Sequence, residues 1–199
     1  GTASPNHWPP QSGARHQTRI RSGTVAPHEL TPMPVISVIL PTRNRHDMLP
    51  RALQSLAAQT CRDFEVLLVD DNDPLNRVAK QPPLLPFLRD PRVHLIENDR
   101  PLNAARARNR GLEAARGEWM AFLDDDDAYH PDKLSKQLAM GVETGLPVGT
   151  CGMRYIMPGR RSVRQCKARQ FKGDEILLSA SPGTGFLFHR KATVRFREE

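Results

Sequence analysis

Four consecutive aspartates, Asp124 to Asp127, stand directly behind the apolar run Trp119-Met120-Ala121-Phe122-Leu123. Such a run reads as a buried strand. The carboxylates therefore fall at a strand's carboxyl end, where open α/β sheets bind ligands. Adjacent carboxylates repel and are costly to hold together without a cation. Their hard oxygens suit Mg²⁺ or Mn²⁺, ions that keep several waters and take substrate phosphates as further ligands. The run predicts a metal and phosphate site; the alternative is a solvated acidic turn that caps the following helix.

A second acidic cluster, Asp70-Asp71-Asn72-Asp73, follows the apolar run Phe64 to Val69. A carboxylate there can accept a hydrogen bond from a base edge such as a uracil imide N–H. Asp and Asn are equally at home in an ordinary turn. In one parallel sheet, two acidic strand ends open on the same crevice. Pro41-Thr42-Arg43-Asn44-Arg45 follows another β-branched run, Val35 to Leu40. Thr42 can bond to a nucleotide and the arginines can pair with phosphate, or the loop is simply polar. Downstream, Arg106 and Arg110 share a helical face at i, i+4 spacing while Arg108 points elsewhere. At most one or two of these three face the site.

The elements that must position these residues alternate. Strands are expected at Val35 to Leu40, Phe64 to Val69, Val93 to Ile96 and Trp119 to Leu123. Asp47 is expected to open a helix with Leu49, Leu53, Leu56 and Ala57 on one face. Pro82, Pro83 and Pro86 leave residues 75–90 ambiguous, because they interrupt any long helix. Asn103 to Arg116 reads as a helix stopped by Gly117. Pro131 suits the first position of another, carrying Leu134, Leu138 and Val142. This alternation predicts βαβ units and a mostly parallel, Rossmann-like sheet flanked by helices. Past residue 147 the pattern weakens: Val148 to Met157 reads as a strand, Asp174 to Leu178 as a short helix and Phe186 to Phe188 as a strand.

The length of 199 residues suits one domain with a proper core plus tails. Residues 1–33, rich in Pro, His, Gln, Ser and Gly, read as an extended arm or an artificially added tail, and the domain as residues 34–199. Lys plus Arg is 29 against 22 Asp plus Glu, a net charge of +7. That balance suggests an anionic partner, or merely a soluble surface. The basic stretch Arg154 to Lys172 could face an anionic acceptor or a membrane, or be a solvated loop. Cys61, Cys151 and Cys166 form no close pair and no CxxC, which argues against a disulfide framework and a zinc site and mildly for a reducing compartment. No stretch approaches a membrane span and no apolar signal segment opens the sequence. The expected setting is cytoplasmic, with peripheral contact at the inner face of a membrane left open.

Taken together, the motifs resemble glycosyltransferase family 2. Val38-Ile39-Leu40-Pro41-Thr42-Arg43-Asn44 resembles its opening motif, and Glu65 to Asp71 its second strand and nucleotide-binding turn. Ala107-Arg108-Asn109-Arg110-Gly111 with Ala115-Arg116-Gly117-Glu118 resembles its third block, and Phe122 to Asp127 its DXD block. The resemblance implies a GT-A fold, a nucleotide-sugar donor that is usually UDP-linked, Mn²⁺ or Mg²⁺, and inversion at the anomeric carbon in a hexosyl transfer. The expected acceptor is a glycan or lipid-linked glycan in polysaccharide assembly. By position, Pro41, Thr42, Arg43, Asn44, Asp71, Arg108, Asp124 and Asp125 would surround the donor, and Asp124 and Asp126 would take the metal. Residues 34–140 would form the nucleotide-sugar part and 141–199 a partial acceptor side, truncated before the family's later Glu-Asp motif. The general base is therefore expected beyond Glu199; Asp174, His189, Glu198 and Glu199 are weaker candidates.

Two other classes fit less well. A nucleotidyltransferase-like enzyme should carry a Gly-rich phosphate loop after the first strand, and residues 41–47 contain no Gly. A nucleic-acid-binding module should show a basic stripe with exposed aromatics. Here aromatics are 6% of the residues and the sharpest cluster is acidic, so no nucleic acid is expected.

Overall fold

A computed structural model describes residues 33–157, 160–164, 184–192 and 195–198. The expected arm (up to residue 32), the helix at Asp174 to Leu178, Cys166, Glu199 and the basic stretch beyond Arg164 lie outside the described residues. Six strands form the main sheet: β1 (Ile36–Thr42), β2 (Phe64–Asp70), β3 (Val93–Glu97), β4 (Trp119–Phe122), β5 (Val148–Thr150) and β8 (Phe186–His189). Their order across it is β3-β2-β1-β4-β8-β5. The first four in the chain pair in parallel, while β8 runs antiparallel to both β4 and β5. Among the described residues, β6 (Met153–Met157) and β7 (Arg160–Arg164) form a separate antiparallel ribbon. The single strand expected from Val148 to Met157 is thus two strands in two sheets.

Side-chain alternation sorts the core. Ile36, Val38 and Leu40 of β1, with Phe64, Val66 and Leu68 of β2, pack on one face with Leu49, Leu53 and Leu56. Ile39, Leu67 and Val69 pack on the other with Ala107 and Phe122. Both faces are covered, which is why these strands read as continuous apolar runs rather than alternating ones. Helix α1 (Leu49–Ala57) covers the first face and α3 (Ala104–Ala114) the second.

Several boundaries move from expectation. Helix α1 begins at Leu49 with Pro50 in its first turn and has no side-chain cap, so Asp47 does not open it. The proline-rich stretch forms three single 3₁₀ turns and the four-residue helix α2 (Leu85–Leu88). Helix α3 is capped by Asn103, whose side chain accepts from Arg106 N, and ends at Ala114, before Gly117. Helix α4 (Lys133–Thr144) starts after Pro131 rather than at it. Its Leu134 is buried, but Val142 is 69% exposed, so the apolar stripe is shorter than the sequence implied.

Gly117 has a task other than stopping a helix. A Cβ there would lie 2.5 Å from Ser37 N, in contact with backbone that cannot step aside. The close approach lets Gly117 N donate to Ser37 Oγ at 2.7 Å, while Ser37 Oγ donates to Glu65 Oε1 at 2.6 Å. Arg116 closes the network, with Nη2 2.9 Å from Glu65 Oε2 and its backbone N–H on Glu65 Oε1. Glu65 is buried, so this paired charge ties β1, β2 and the exit of α3 together at the amino ends of the strands. Gly117→Ala is expected to lower stability by about 1–3 kcal/mol, read as a melting temperature several degrees lower; an unchanged melting curve would contradict the packing described.

Candidate active site

Strand order β2-β1-β4 sends the chain outward on one side of β1 and then back to its other side, a switch point of the kind where parallel sheets open a crevice. The carboxyl ends of these strands deliver the polar residues. A cavity of about 490 Å³ lies there, lined by Thr42, Arg45, Asp71, Arg108 and the carboxylates of Asp124, Asp125 and Asp126, among others. The two acidic clusters therefore share one hollow.

Asp70 and Asp71 divide the work of their turn. Asp70 is fully buried: its Oδ1 accepts from Asn72 N and Nδ2, and its Oδ2 accepts from Val78 N at 2.8 Å. It builds the turn. Asp71 lines the cavity, and its Oδ1 accepts from Leu102 N at 2.7 Å and Asn98 Nδ2 at 2.8 Å. It anchors the segment after β3 beside the hollow.

Each aspartate of the run has a different partner. Asp124 pairs with Arg108 Nη2 at 2.5 Å. Asp125 is almost wholly enclosed, accepting from Thr42 Oγ1 at 2.8 Å on one oxygen and from Arg45 Nη1 at 2.9 Å on the other. The same Arg45 nitrogen reaches Asp126 Oδ2 at 2.9 Å, and Arg51 donates to the Asp126 carbonyl. Asp127 turns away to accept from Thr184 Oγ1 at 2.5 Å, and that hydroxyl accepts from Asp124 N at 3.2 Å. The hydrogen bond from Arg45 to Asp125, and the field of both carboxylates, raise the Arg45 pKa above its ordinary value. Burial pushes the Asp127 carboxyl up, with the Thr184 hydrogen bond opposing it.

Among the described residues, no group of three or more His, Cys, Asp or Glu side chains could hold a metal ion by itself. That donor set still fits Mg²⁺ or Mn²⁺, which take one or two carboxylates and complete their shell with water and phosphate. Asp124 and Asp126 qualify, with side chains 30% and 44% exposed on the hollow. Asp125 is committed to Thr42 and Arg45.

Residues 37–196 match the family described as glycosyl transferase family 2. The chain belongs to that family. Curated relatives include the succinoglycan biosynthesis protein ExoO of Rhizobium meliloti, 33% identical over 69% of this chain and 38% of its own length. Another is the Escherichia coli enzyme WfgD, a UDP-Glc:alpha-D-GlcNAc-diphosphoundecaprenol beta-1,3-glucosyltransferase, 33% identical over 56% of this chain and 43% of its own length. The chain spans less than half the length of these relatives. Among solved structures, Staphylococcus aureus TarS 1-349 in complex with UDP-GlcNAc aligns with a TM-score of 0.64, covering 77% of this chain and 45% of that 1-349 chain at 24% identity. That likeness confirms the GT-A fold.

Within the family 2 frame, Pro41, Thr42, Arg43, Asp71, Arg108, Asp124, Asp125 and Asp126 all line the hollow. Asn44 does not: it is exposed, with φ 55°, and its backbone N–H donates to Asn72 Oδ1, so it shapes the loop instead. Arg43 donates to Leu102 O, and it is Arg45 that pairs with the carboxylates. Of the three α3 arginines, Arg108 lines the hollow, while Arg106 pairs with Glu198 at 3.5 Å. Asn109 donates to Phe196 O and accepts from Phe196 N, seating that ring 5.4 Å from the Arg108 guanidinium and edge-on to Phe122. Thr184 had no signal in the sequence: it is 57 positions from Asp127 and belongs to no local pattern. His189 packs edge-on against Trp119, away from the hollow.

Behind the aspartate run, Tyr129 Oη donates to Phe122 O at 2.6 Å, and Lys133 Nζ lies 3.9 Å from the Tyr129 ring centroid and 3.3 Å from Phe186 O. Gln137 Nε2 donates to Gly185 O, so α4 pins the segment that carries Thr184. Burial lowers the Lys133 pKa from 10.5 to about 7. The unfolded chain therefore takes up a proton between those values that the folded chain refuses. The contribution of Lys133 to stability is greatest above pH 10.5, falls as pH drops, and is lost fully below about pH 7. Lys133→Met is expected to be more stable than the parent at pH 7, by on the order of a few kcal/mol, with the gap closing toward pH 10. Denaturant titrations at pH 7, 8.5 and 10 check this; parallel pH profiles would refute it.

Proposed function

We propose that this chain binds a nucleotide-sugar donor, a UDP-sugar, with Mn²⁺ or Mg²⁺, and serves an inverting sugar transfer to a glycan or lipid-linked glycan. The observation that carries this reading is the shared hollow: Asp71 from one strand end and Asp124, Asp125 and Asp126 from another line it with Arg108. The relatives lend the substrate class, since WfgD is named for a UDP-glucose donor and a diphosphoundecaprenol-linked acceptor, and ExoO for succinoglycan biosynthesis. TarS has been solved with UDP and with UDP-GlcNAc.

In this reading Thr42 and Asp71 stand on the nucleotide side and Asp124 on the ribose or diphosphate side. Asp126 is the first metal ligand, assisted by Asp124. When bound, the ion neutralises the charge that grows on the leaving diphosphate. The acceptor oxygen attacks the anomeric carbon, the bond from that carbon to the diphosphate oxygen breaks, and the acceptor's proton passes to a carboxylate base. We assign that base to no described residue. Asp127 is held by Thr184, and the Asn109 hydrogen bond, with Arg195 and Arg106 nearby, keeps the Glu198 carboxyl below its ordinary range. No helix among the described residues is long and apolar enough to cross a membrane. A peripheral cytoplasmic setting beside a lipid-linked acceptor is part of the proposal.

Calorimetry with UDP tests it. Binding is expected in Mn²⁺, lost on chelation, and weakened at least about tenfold in Asp126→Ala, the equivalent of roughly 1.4 kcal/mol. Asp126 is half exposed, so this variant should melt near the parent temperature, whereas Asp71→Ala also removes the anchor of Leu102 and should lose stability as well. UDP binding that ignores Mn²⁺ and survives both substitutions would defeat the reading.

A further inference from the structure

Of the two arginines in the loop after β1, Arg45 is the one that bridges carboxylates. It comes from the turn between β1 and α1, and a single nitrogen, Nη1, sits 2.9 Å from Asp125 Oδ1 and 2.9 Å from Asp126 Oδ2. It thereby does locally what a cation does: it relieves the repulsion between neighbouring carboxylates. The two halves of this bridge differ in strength. Asp125 is enclosed, its side chain 6% exposed, and it keeps a second bond from Thr42. The Arg45 and Asp126 side chains are 49% and 44% exposed, so their contact is wet and easily exchanged.

This arrangement has a consequence for any divalent ion that approaches Asp126. A bare ion must displace a guanidinium that already compensates the carboxylate, and the released positive charge then stands in the same hollow as the ion. An ion that arrives with a diphosphate brings acceptor oxygens for that guanidinium, a pairing for which arginine's planar fork is well suited. Arg45 lines the cavity from which such a group would be contacted. Arg108 holds Asp124 in a more enclosed pair, 18% exposed on the arginine side.

We infer that Arg45 is a displaceable counter-charge on Asp126 that makes divalent-cation binding depend on the diphosphate of the donor. The inference rests on the metal and nucleotide reading given above. It assigns Arg45 a positioning and coupling role rather than a step in the chemistry. A purely architectural Arg45, one that only fastens the aspartate turn to the β1–α1 loop, would instead help the ion by ordering its ligands.

Titrations of Mn²⁺ against the whole chain, followed by the electron paramagnetic resonance of the free ion, separate these roles. They are run without and with saturating UDP on the parent, Arg45→Gln and Arg45→Lys, with a melting curve for each. The parent is expected to bind Mn²⁺ alone weakly and to gain affinity with UDP within the usual range of coupling factors, about 5- to 150-fold. Arg45→Gln is expected to bind Mn²⁺ alone several-fold more tightly and to lose a similar factor of coupling, because the guanidinium that UDP would draw off Asp126 is no longer there to compete with the ion. Arg45→Lys, which keeps the charge, should fall near the parent. Arg45→Gln binding Mn²⁺ alone no more tightly than the parent would overturn the inference, as would unchanged coupling. An Arg45→Gln chain without a cooperative melt would assign Arg45 to the fold and overturn it too. A parent that binds no Mn²⁺ even with UDP removes the metal reading itself, an outcome distinct from normal coupling that survives Arg45→Gln.

Discussion

Like charges held at contact distance govern this end of the molecule. Four carboxylates in sequence must be supported by something, and side chains from several segments around the switch point supply that support. Thr42 and Arg45 take Asp125, Arg108 takes Asp124, Arg45 and Arg51 take Asp126, and Thr184 takes Asp127. These partners come from β1, the loop after it, α1, α3 and the approach to β8. The order of the sheet can be understood from this requirement, because only the crevice beside β1 brings such distant segments to one place.

Much of this was legible in the sequence, for identifiable reasons. The four parallel strands are apolar runs buried on both faces, and their spacing through helices leaves little topological freedom. Once the strands were placed, Asp71 and Asp124 to Asp126 had to meet, since both follow carboxyl ends. What the sequence could not settle was direction within a loop or around a helix. Arg43 and Arg45 are chemically equal on paper; the left-handed turn at Asn44 lies between them, and Arg45 is the one that meets the carboxylates. Among Arg106, Arg108 and Arg110 the spacing separated the faces without saying which one met the hollow. Helix ends were the least secure, because Met48 and Asp132 begin their helices without a side-chain cap. Thr184 was invisible because its meaning is entirely tertiary.

Stability and binding geometry are divided between the two ends of the sheet. At the amino end, Glu65, Ser37, Arg116 and Gly117 form a largely buried polar clasp in which Glu65 accepts from Ser37 and Arg116, and Ser37 from Gly117. At the carboxyl end, the arginine–aspartate pairs are partly wet and therefore exchangeable. A firm clasp at one end lets the other keep charges that an incoming ligand can rearrange. Lys133 is the exception, a buried amine near the site that is tolerated because a ring face and a carbonyl meet it.

The seat of Phe196 on Asn109 joins positions 87 residues apart. Contacts of such long range form late, because the intervening chain must be gathered before they are rewarded. The pairing of β1 with β4 is also long in range, but both strands and α3 precede this segment in the chain, so the aromatic cushion under Arg108 is completed only when it arrives. A nascent chain would thus acquire its scaffold first and the final aim of that guanidinium last, so competence for the ligand ripens after the fold is already in place.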